Sequence, residues 1–197
     1  MTPTRLNALT DGVVAIVLTV MVLELKIPAQ PTFRAVIAVL PLLGAYLLAF
    51  VNVAIYWINH HHMMQSARRV TGGVLWANHA LLFFLTLFPL MIRWIDEAGI
   101  TPWPVASFGM VLVGAAVAYQ VLERALIAAE GEGSAVKRAV GVGGKEWISF
   151  ALYLASVPAA FASPYISVAI LVGVSILWIV PDRRFAPRTH STVSDDG

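Results

Sequence analysis

Residues 5–24 read Arg-Leu-Asn-Ala-Leu-Thr-Asp-Gly-Val-Val-Ala-Ile-Val-Leu-Thr-Val-Met-Val-Leu-Glu, and this stretch decides the fold. Its apolar part is continuous except for Thr19, and with its flanks it reaches the roughly 20 residues that a bilayer-crossing helix needs. A secretory signal would end in small residues before a cleavage site, whereas Lys26 and Pro28 follow here. We therefore predict a permanent first span over about residues 6–26.

The rest of the chain repeats this apolar pattern. Of its 197 residues, 59% are hydrophobic and 12% are charged, whereas a soluble domain carries about 25% charged residues. A water-soluble enzyme is therefore excluded, and the continuous apolar runs differ from the alternation of a membrane barrel. We predict an all-α integral membrane protein with one six-helix transmembrane domain, 1–181, and a short polar cytoplasmic tail, 182–197. The further spans lie at about 35–58, 72–95, 104–127, 146–162 and 165–181.

Charge and cysteine content exclude several other classes. The chain has no cysteine, which rules out a disulfide scaffold and zinc–thiolate sites. A net charge of +2 is too small for a nucleic-acid-binding surface. With six spans, ten of the 13 Lys and Arg residues fall on the side of the two termini. The positive-inside rule then places both termini in the cytoplasm, as expected for a multi-pass protein of the cell membrane.

Charged side chains inside the first span require partners. A charge at the bilayer centre costs about 2.5–3.5 kcal/mol on insertion scales. Arg5 and Asp11 are six residues apart, or about 240° around a helix, so they do not form the pair of a solvated helix face. We expect each to find a partner on another helix, in a network whose role is either structural or directly functional.

An aliphatic stripe follows on the same helix. Ile16, Val20 and Leu23 recur at helical spacing, with Thr19 on the same side. Such a stripe faces lipid or the protein core, or it lines a pore that closes by dewetting at hydrophobic rings. The spacing alone does not choose between these interpretations.

Polar residues also occur in the second and third spans. Histidines 60–62 close the second span, but adjacent residues point in different directions on a helix, so a polar network or a helix cap is favoured over a metal site. In the third span, Asn78 is interpreted as a buried amide, and Pro89 predicts a kink.

Three segments together resemble one protein family. Arg5-x-x-x-Leu9-Thr10-Asp11-Gly12 resembles the Arg-x-x-x-Phe-Ser-Asp-Gly signature that opens the first helix of the endosomal/lysosomal potassium channels, in their bacterial branch. Leu9 and Thr10 depart from the Phe and Ser of that signature. The segments 45–61 and 76–89 are similar to the second and third helices of that family, so the resemblance covers about the first half of the chain.

The resemblance implies a potassium-selective channel with K⁺ as the permeant ion and no other metal or cofactor. It implies a homotetramer embedded in lipid, with the first helix of each copy lining a central pore. Ile16 would form the narrowest constriction, Val20 and Leu23 would continue the apolar lining, and Thr19 would aid selectivity. The residues implied to form a network around the pore helix are Arg5, Thr10, Asp11, Trp57, His60, His61, Trp76 and Asn78.

Two other functions fit some of the same residues. A proton-coupled secondary transporter is the first alternative, because Asp11 and the His60–His62 cluster could relay protons. Transporters commonly carry inverted repeats, and none is evident here. A membrane-embedded enzyme would need a nucleophile–base pair or a metal cluster, and the three histidines lack neighbouring carboxylates. Both alternatives are less favoured than the channel.

Overall fold

The computed structural model describes residues 2–26, 28–131, 136–137 and 144–179, so the predicted tail, 182–197, lies outside it. In these residues all regular secondary structure is helical. The helices are α1 (Pro3–Leu23), α2 (Phe33–Gln65), α3 (Gly72–Thr86), α4 (Phe88–Ala98), α5 (Pro102–Glu130), α6 (Gly144–Ala162) and α7 (Pro164–Ile179).

These helices form six membrane spans, because α3 and α4 are two parts of one span. The helix is interrupted at Leu87, just before Pro89 at the start of α4, and a proline lacks the N–H that would continue the helical ladder. The kink predicted from Pro89 is thus present. Together with the joined segment Gly72–Ala98, the helices α1, α2 and α5 are long and apolar enough to cross a bilayer, whereas α6 and α7 are shorter. The predicted fold class, all-α with six spans, is confirmed.

The bounds of α1 and α2 differ from those of the predicted spans. α1 begins at Pro3, because the Thr2 hydroxyl caps it by accepting the backbone N–H of Arg5 at 3.4 Å. α2 continues to Gln65, seven residues beyond the predicted end at 58. The added residues include neither proline nor glycine, and the Asn59 amide donates to the carbonyl of Ile55 at 2.8 Å. The helix thus continues beyond its apolar part, because no residue in this segment breaks it.

The core forms around α5, which packs against α3 and α6. Two glycines allow the close approach: a Cβ at Gly114 would overlap the ring of Phe84, and one at Gly109 would lie 2.7 Å from Oγ of Ser156. Small residues at such crossings let helix backbones pack closely within a membrane. α1 lies at the edge of this core and packs against α2, α3 and α4.

Candidate functional site

One face of α1 packs against the bundle. Thr10 lies in the middle of this packed face, between apolar side chains spaced three or four residues apart. That spacing keeps side chains on one side of a helix. The buried residues of the packed face are Leu6, Thr10, Val14, Val17 and Met21.

The opposite side of α1, which we call the open face, is uncovered in the subunit. It consists of Leu9, Gly12, Ile16, Thr19 and Leu23. The side chains of Ile16 and Leu23 are 63% and 79% exposed, and a Cβ at Gly12 would meet no atom within 4 Å. The alternating spacing of three and four residues is that of helices that associate along a common seam. The open face therefore has the pattern of an assembly surface.

Two of the three predicted constriction residues lie on the open face. Ile16 and Leu23 lie on the open face, whereas Val20 lies beside it and is half-buried. Residues four apart are offset by about 40° around a helix, and this offset turns Val20 toward the packed side. The interpretation that this stripe faces the protein core is therefore wrong for Ile16 and Leu23, since neither is buried in the subunit.

Thr19 presents an oxygen on the open face. Its Oγ1 lies 2.9 Å from the carbonyl oxygen of Ile16 and 3.1 Å from that of Ala15, so the hydroxyl donates to its own helix. A hydroxyl has one proton and two lone pairs. With the proton donated to the backbone, the lone pairs stay free to accept on the exposed side of α1.

A buried polar cluster joins α1 to α2 and α3. The side-chain amide of Asn78 donates to Oγ1 of Thr10 at 3.1 Å, and Oδ1 of Asn78 lies 2.8 Å from Nε2 of His60. All three residues are at most 1% exposed. Because Oδ1 is an acceptor in this arrangement, Nε2 of His60 carries the proton. We call these three residues the α1 anchor.

Asp11 makes a second link from α1 to α2. The indole N–H of Trp57 donates to Oδ1 of Asp11 at 2.8 Å, and the amide of Asn7 donates to Oδ2 at 3.3 Å. The Trp57 ring stacks on His61 with centroids 5.6 Å apart. The partner expected for Asp11 on another helix is thus an indole, and its carboxylate is held by two donors.

Two residues of the predicted network lie apart from these contacts in the subunit. The side chain of Arg5 is exposed and makes no hydrogen bond or ion pair with the described residues. Trp76 is 80% exposed, and its ring contacts His79 at a centroid distance of 6.4 Å. Their assignment to the network stays a prediction.

The three histidines do not form one cluster. His60 is buried in the α1 anchor, whereas His61 contacts Trp57, Gln65 and the ring of His62, whose centroid lies 6.2 Å away. Among the described residues, no group of three or more His, Asp or Glu side chains lies close enough together to hold a metal ion. His60 and Asp11 bind separate partners, with no direct hydrogen bond between their side chains.

Sequence reasoning missed a second polar cluster, between α2, α6 and α7. The amide of Asn52 donates to Oγ of Ser175 at 3.0 Å, and the hydroxyl of Tyr153 donates to Oδ1 of Asn52 at 3.1 Å. All three residues are buried. The lone Asn52 in an apolar run was the available signal, but its partners are more than 100 residues away. We call this the α2–α7 clasp.

Comparison with known proteins finds similar potassium channels. The family model of the endosomal/lysosomal potassium channel TMEM175 matches residues 5–89. A potassium channel of Chryseobacterium sp. (strain P1-3) is 42% identical over 184 residues, covering 93% of this chain and 96% of the relative. A potassium channel of Streptomyces collinus is 28% identical over 126 residues, covering 60% of this chain and 61% of the relative.

One solved structure has the same fold. The crystal structure of a lysosomal potassium-selective channel TMEM175 homolog from Chamaesiphon minutus superposes with a TM-score of 0.79 at 23% sequence identity. The match covers 93% of this chain and 98% of that one. The six-span arrangement described above is therefore that of a known channel fold.

Proposed function

Since the chain belongs to the family of the endosomal/lysosomal potassium channel TMEM175, we propose that copies of α1 line the pore through which it conducts potassium. The chain is a multi-pass membrane protein and a potassium channel, not an enzyme. The observation that carries the pore assignment is the open face of α1. A continuous side of a membrane helix is left uncovered in one subunit while the opposite side is fully packed.

Ile16 is the proposed narrowest point. It is a large aliphatic residue near the middle of α1, and its side chain is 63% exposed in the subunit. A ring of such side chains about an axis makes a constriction that excludes water when narrow and so blocks ions. Leu23 continues the apolar lining toward the end of α1, and the half-buried Val20 contributes at its edge.

Thr19 is the proposed selectivity residue. Its hydroxyl proton is donated to the helix backbone, so each copy presents acceptor lone pairs toward the axis. A ring of such oxygens can replace part of the hydration shell of K⁺, as carbonyl oxygens do in other potassium channels. No resident cofactor enters this scheme, in which K⁺ is the permeant ion.

The α1 anchor and the Asp11–Trp57 contact hold the pore helix in the proposed channel. Both connect α1 to α2 or α3 on the side away from the open face. The orientation of α1, and with it the set of side chains that line the proposed ion path, then depends on these polar contacts. Arg5, four residues before Leu9 on α1, is proposed to join the same network in the assembled protein, and Trp76 is proposed to join it from α3.

One subunit cannot enclose a pore with a single helix, so the channel is proposed to be a cyclic homo-oligomer, most simply a tetramer. The unequal distribution of Lys and Arg favours the cell membrane with both termini in the cytoplasm. We further propose one six-helix transmembrane domain over residues 1–181, followed by a short polar tail over residues 182–197.

The experiment is planar-bilayer recording of the purified protein under a bi-ionic K⁺/Na⁺ gradient. We expect unitary potassium currents without a coupling ion. Ile16→Asn should raise the unitary conductance and weaken discrimination against Na⁺, because a polar ring wets the constriction. Ile176→Asn is the matched control, since Ile176 is similarly exposed, at 56%, but lies on α7.

Two results would contradict the proposal at different levels. Unchanged conductance and selectivity in Ile16→Asn, or equal changes in both variants, would reject the α1-lined pore. Saturable, proton-coupled uptake without unitary currents, lost in Asp11→Asn, would reject the channel in favour of a carrier.

A further inference from the structure

Glu130 binds the loop that joins α2 to α3, residues 66–71. It is the last residue of α5, and Gly131 behind it has a φ of 95°, a conformation that favours glycine and ends the helix. Its Oε1 accepts the backbone N–H of Arg68 and, at 2.6 Å, that of Arg69. One carboxylate oxygen of α5 thus binds two donors of the loop. We call this contact the loop latch.

The loop latch satisfies backbone groups and not side-chain charges. Residues 67–71 have no regular secondary structure, and the N–H groups of Arg68 and Arg69 have no other acceptor among the described residues. Both arginines are exposed, and neither forms an ion pair with the part of the chain that the structure describes. A charged acceptor makes a hydrogen bond about twice as strong as a neutral one. Removal of the carboxylate therefore releases the loop, whereas removal of the guanidinium groups does not.

The loop latch adds a polar attachment between α5 and the start of α3. Near the other end of α3, the ring of Phe84 lies so close to Gly114 that a Cβ there would overlap it. α3 begins at Gly72, directly after the loop and about 18 Å along the helix from Phe84. Without the loop latch, the start of α3 is held by apolar packing alone, which is not directional. α3 can then pivot about the Phe84 contact.

Asn78 lies between these two points, six residues after Gly72. It is the residue of α3 that binds Thr10 of α1, at 3.1 Å, and His60 of α2. Hydrogen bonds weaken steeply when they are misaligned, so a shift at the start of α3 changes the contact that holds α1. The loop also joins α3 to α2, so Glu130 acts on both helices that α1 binds through the α1 anchor.

We propose that Glu130 is a positioning residue for conduction: through the loop latch it sets the direction of α3 and thereby the orientation of α1 and its open face. This inference rests on the pore lining by α1 proposed above. Glu130 lies at the end of α5 and acts on the ion path only through α3. The core of the bundle then controls the ion path through one carboxylate.

The test is planar-bilayer recording of full-length Glu130 variants under the bi-ionic K⁺/Na⁺ gradient. Glu130→Ala removes the acceptor of both N–H groups and should change the K⁺/Na⁺ permeability ratio by about twofold or more. Glu130→Gln keeps a neutral oxygen that accepts the same two donors more weakly, so it should change the ratio in the same direction but less. Glu130→Gln carries the test if Glu130→Ala does not fold.

The matched control replaces the side chains of the two donor residues, Arg68→Gln together with Arg69→Gln. It removes both charges beside the carboxylate but keeps both backbone N–H groups, so the permeability ratio should equal that of the wild type. A double variant that reproduces the effect of Glu130→Ala would show that charge, and not the loop latch, sets the ratio. That result would overturn the proposal.

Hydrogen exchange measured by mass spectrometry tests the loop latch without an ion path. In Glu130→Ala, the amides of the loop, of residues 72–78 and of α1 around Thr10 should exchange faster than in the wild type. Those of α7 should keep the wild-type rates, because local opening is confined to the released elements. Faster exchange throughout the bundle, α7 included, would show general loosening and overturn the proposal.

The outcomes separate this proposal from the pore assignment. A wild type without K⁺ currents, or Ile16→Asn without effect, rejects the α1-lined pore and the conduction role of Glu130 with it. If Ile16→Asn behaves as expected and a folded Glu130→Ala protein keeps the wild-type permeability ratio, only the role of Glu130 is rejected, whatever its exchange rates.

Discussion

The helices α1 and α5 are held in the same bundle by different means. In the most apolar 18-residue part of α1, 28% of the residues are buried within the subunit, whereas in that of α5 the share is 50%. α1 is fixed by the buried apolar side chains of its packed face and by a few hydrogen bonds through Asn78 and Asp11. α5 is fixed by close contacts at Gly109 and Gly114. Polar contacts and small-residue packing are the two principal ways in which helices associate within a membrane.

Because of this difference, substitutions around α5 and substitutions at the polar contacts of α1 are expected to affect different properties, stability in the first case and conduction in the second. Close packing around α5 involves many contacts, so a change there is expected to alter the free energy of unfolding of the whole subunit. The polar contacts of α1 are few and lie behind the proposed pore lining. A change there is expected to reorient α1 while most of the bundle stays intact.

The largest effect on stability is expected at α5. Gly114→Ala places a methyl group where the ring of Phe84 lies, and overpacking of this kind costs about 1–3 kcal/mol. The thermal unfolding midpoint of the purified protein in detergent should fall clearly. Because the cost arises from one ring, Phe84→Leu in the same chain should restore part of the loss.

The control for this prediction is Gly173→Ala, which adds the same methyl group where no atom lies within 4 Å. Its midpoint should stay near that of the wild type. If Gly114→Ala unfolds at the wild-type temperature, or if Phe84→Leu adds a second, independent loss, close packing at this crossing is not what holds α5.

Two buried asparagines occupy equivalent positions in the two polar clusters. Asn78 in the α1 anchor and Asn52 in the α2–α7 clasp are both at most 1% exposed, and each binds side chains of two other helices. Replacing either by Leu leaves buried partners unsatisfied, which costs about 1–2 kcal/mol. Both variants should therefore lose similar stability. Asn78→Leu alone should also change K⁺ conductance or selectivity, because only it releases α1.

Bilayer recording and thermal unfolding of the two variants decide this point. Equal electrical changes in Asn52→Leu and Asn78→Leu would mean that the channel responds to general loosening of the bundle. Wild-type currents in a folded Asn78→Leu protein would show that the anchor does not position the ion path.

The parts predicted from the sequence are those with local signals. Continuous apolar runs predict six spans, and Pro89 predicts the interruption between α3 and α4. The costly charge of Asp11 in the first span predicts a partner on another helix, which is Trp57. Each inference needs only the sequence near the residue and the cost of burying a polar group.

The remaining features depend on pairs that are distant in the sequence. Asn52 meets Tyr153 and Ser175 across 101 and 123 residues, and no local pattern selects those partners. The role of Gly114 is likewise set by Phe84 on another helix. Exposure of the aliphatic stripe on α1 also follows from which side packs against α2 and α3, and both sides of this helix are apolar.

The smallest effect is expected from single indole hydrogen bonds. Trp57 donates to Asp11 on α1, and Trp178 donates to Ser149 on α6, both at 2.8 Å. Trp178→Phe removes a bond to a neutral hydroxyl at a partly exposed site, for about 0.5–1 kcal/mol, whereas Trp57→Phe removes one of two donors to a carboxylate and should cost somewhat more. The midpoints of both variants should fall slightly. Since only the Trp57 bond reaches α1, a change in K⁺/Na⁺ selectivity should follow Trp57→Phe and not Trp178→Phe. A change in selectivity in Trp178→Phe alone would contradict this prediction and would place control of the pore in the second half of the chain.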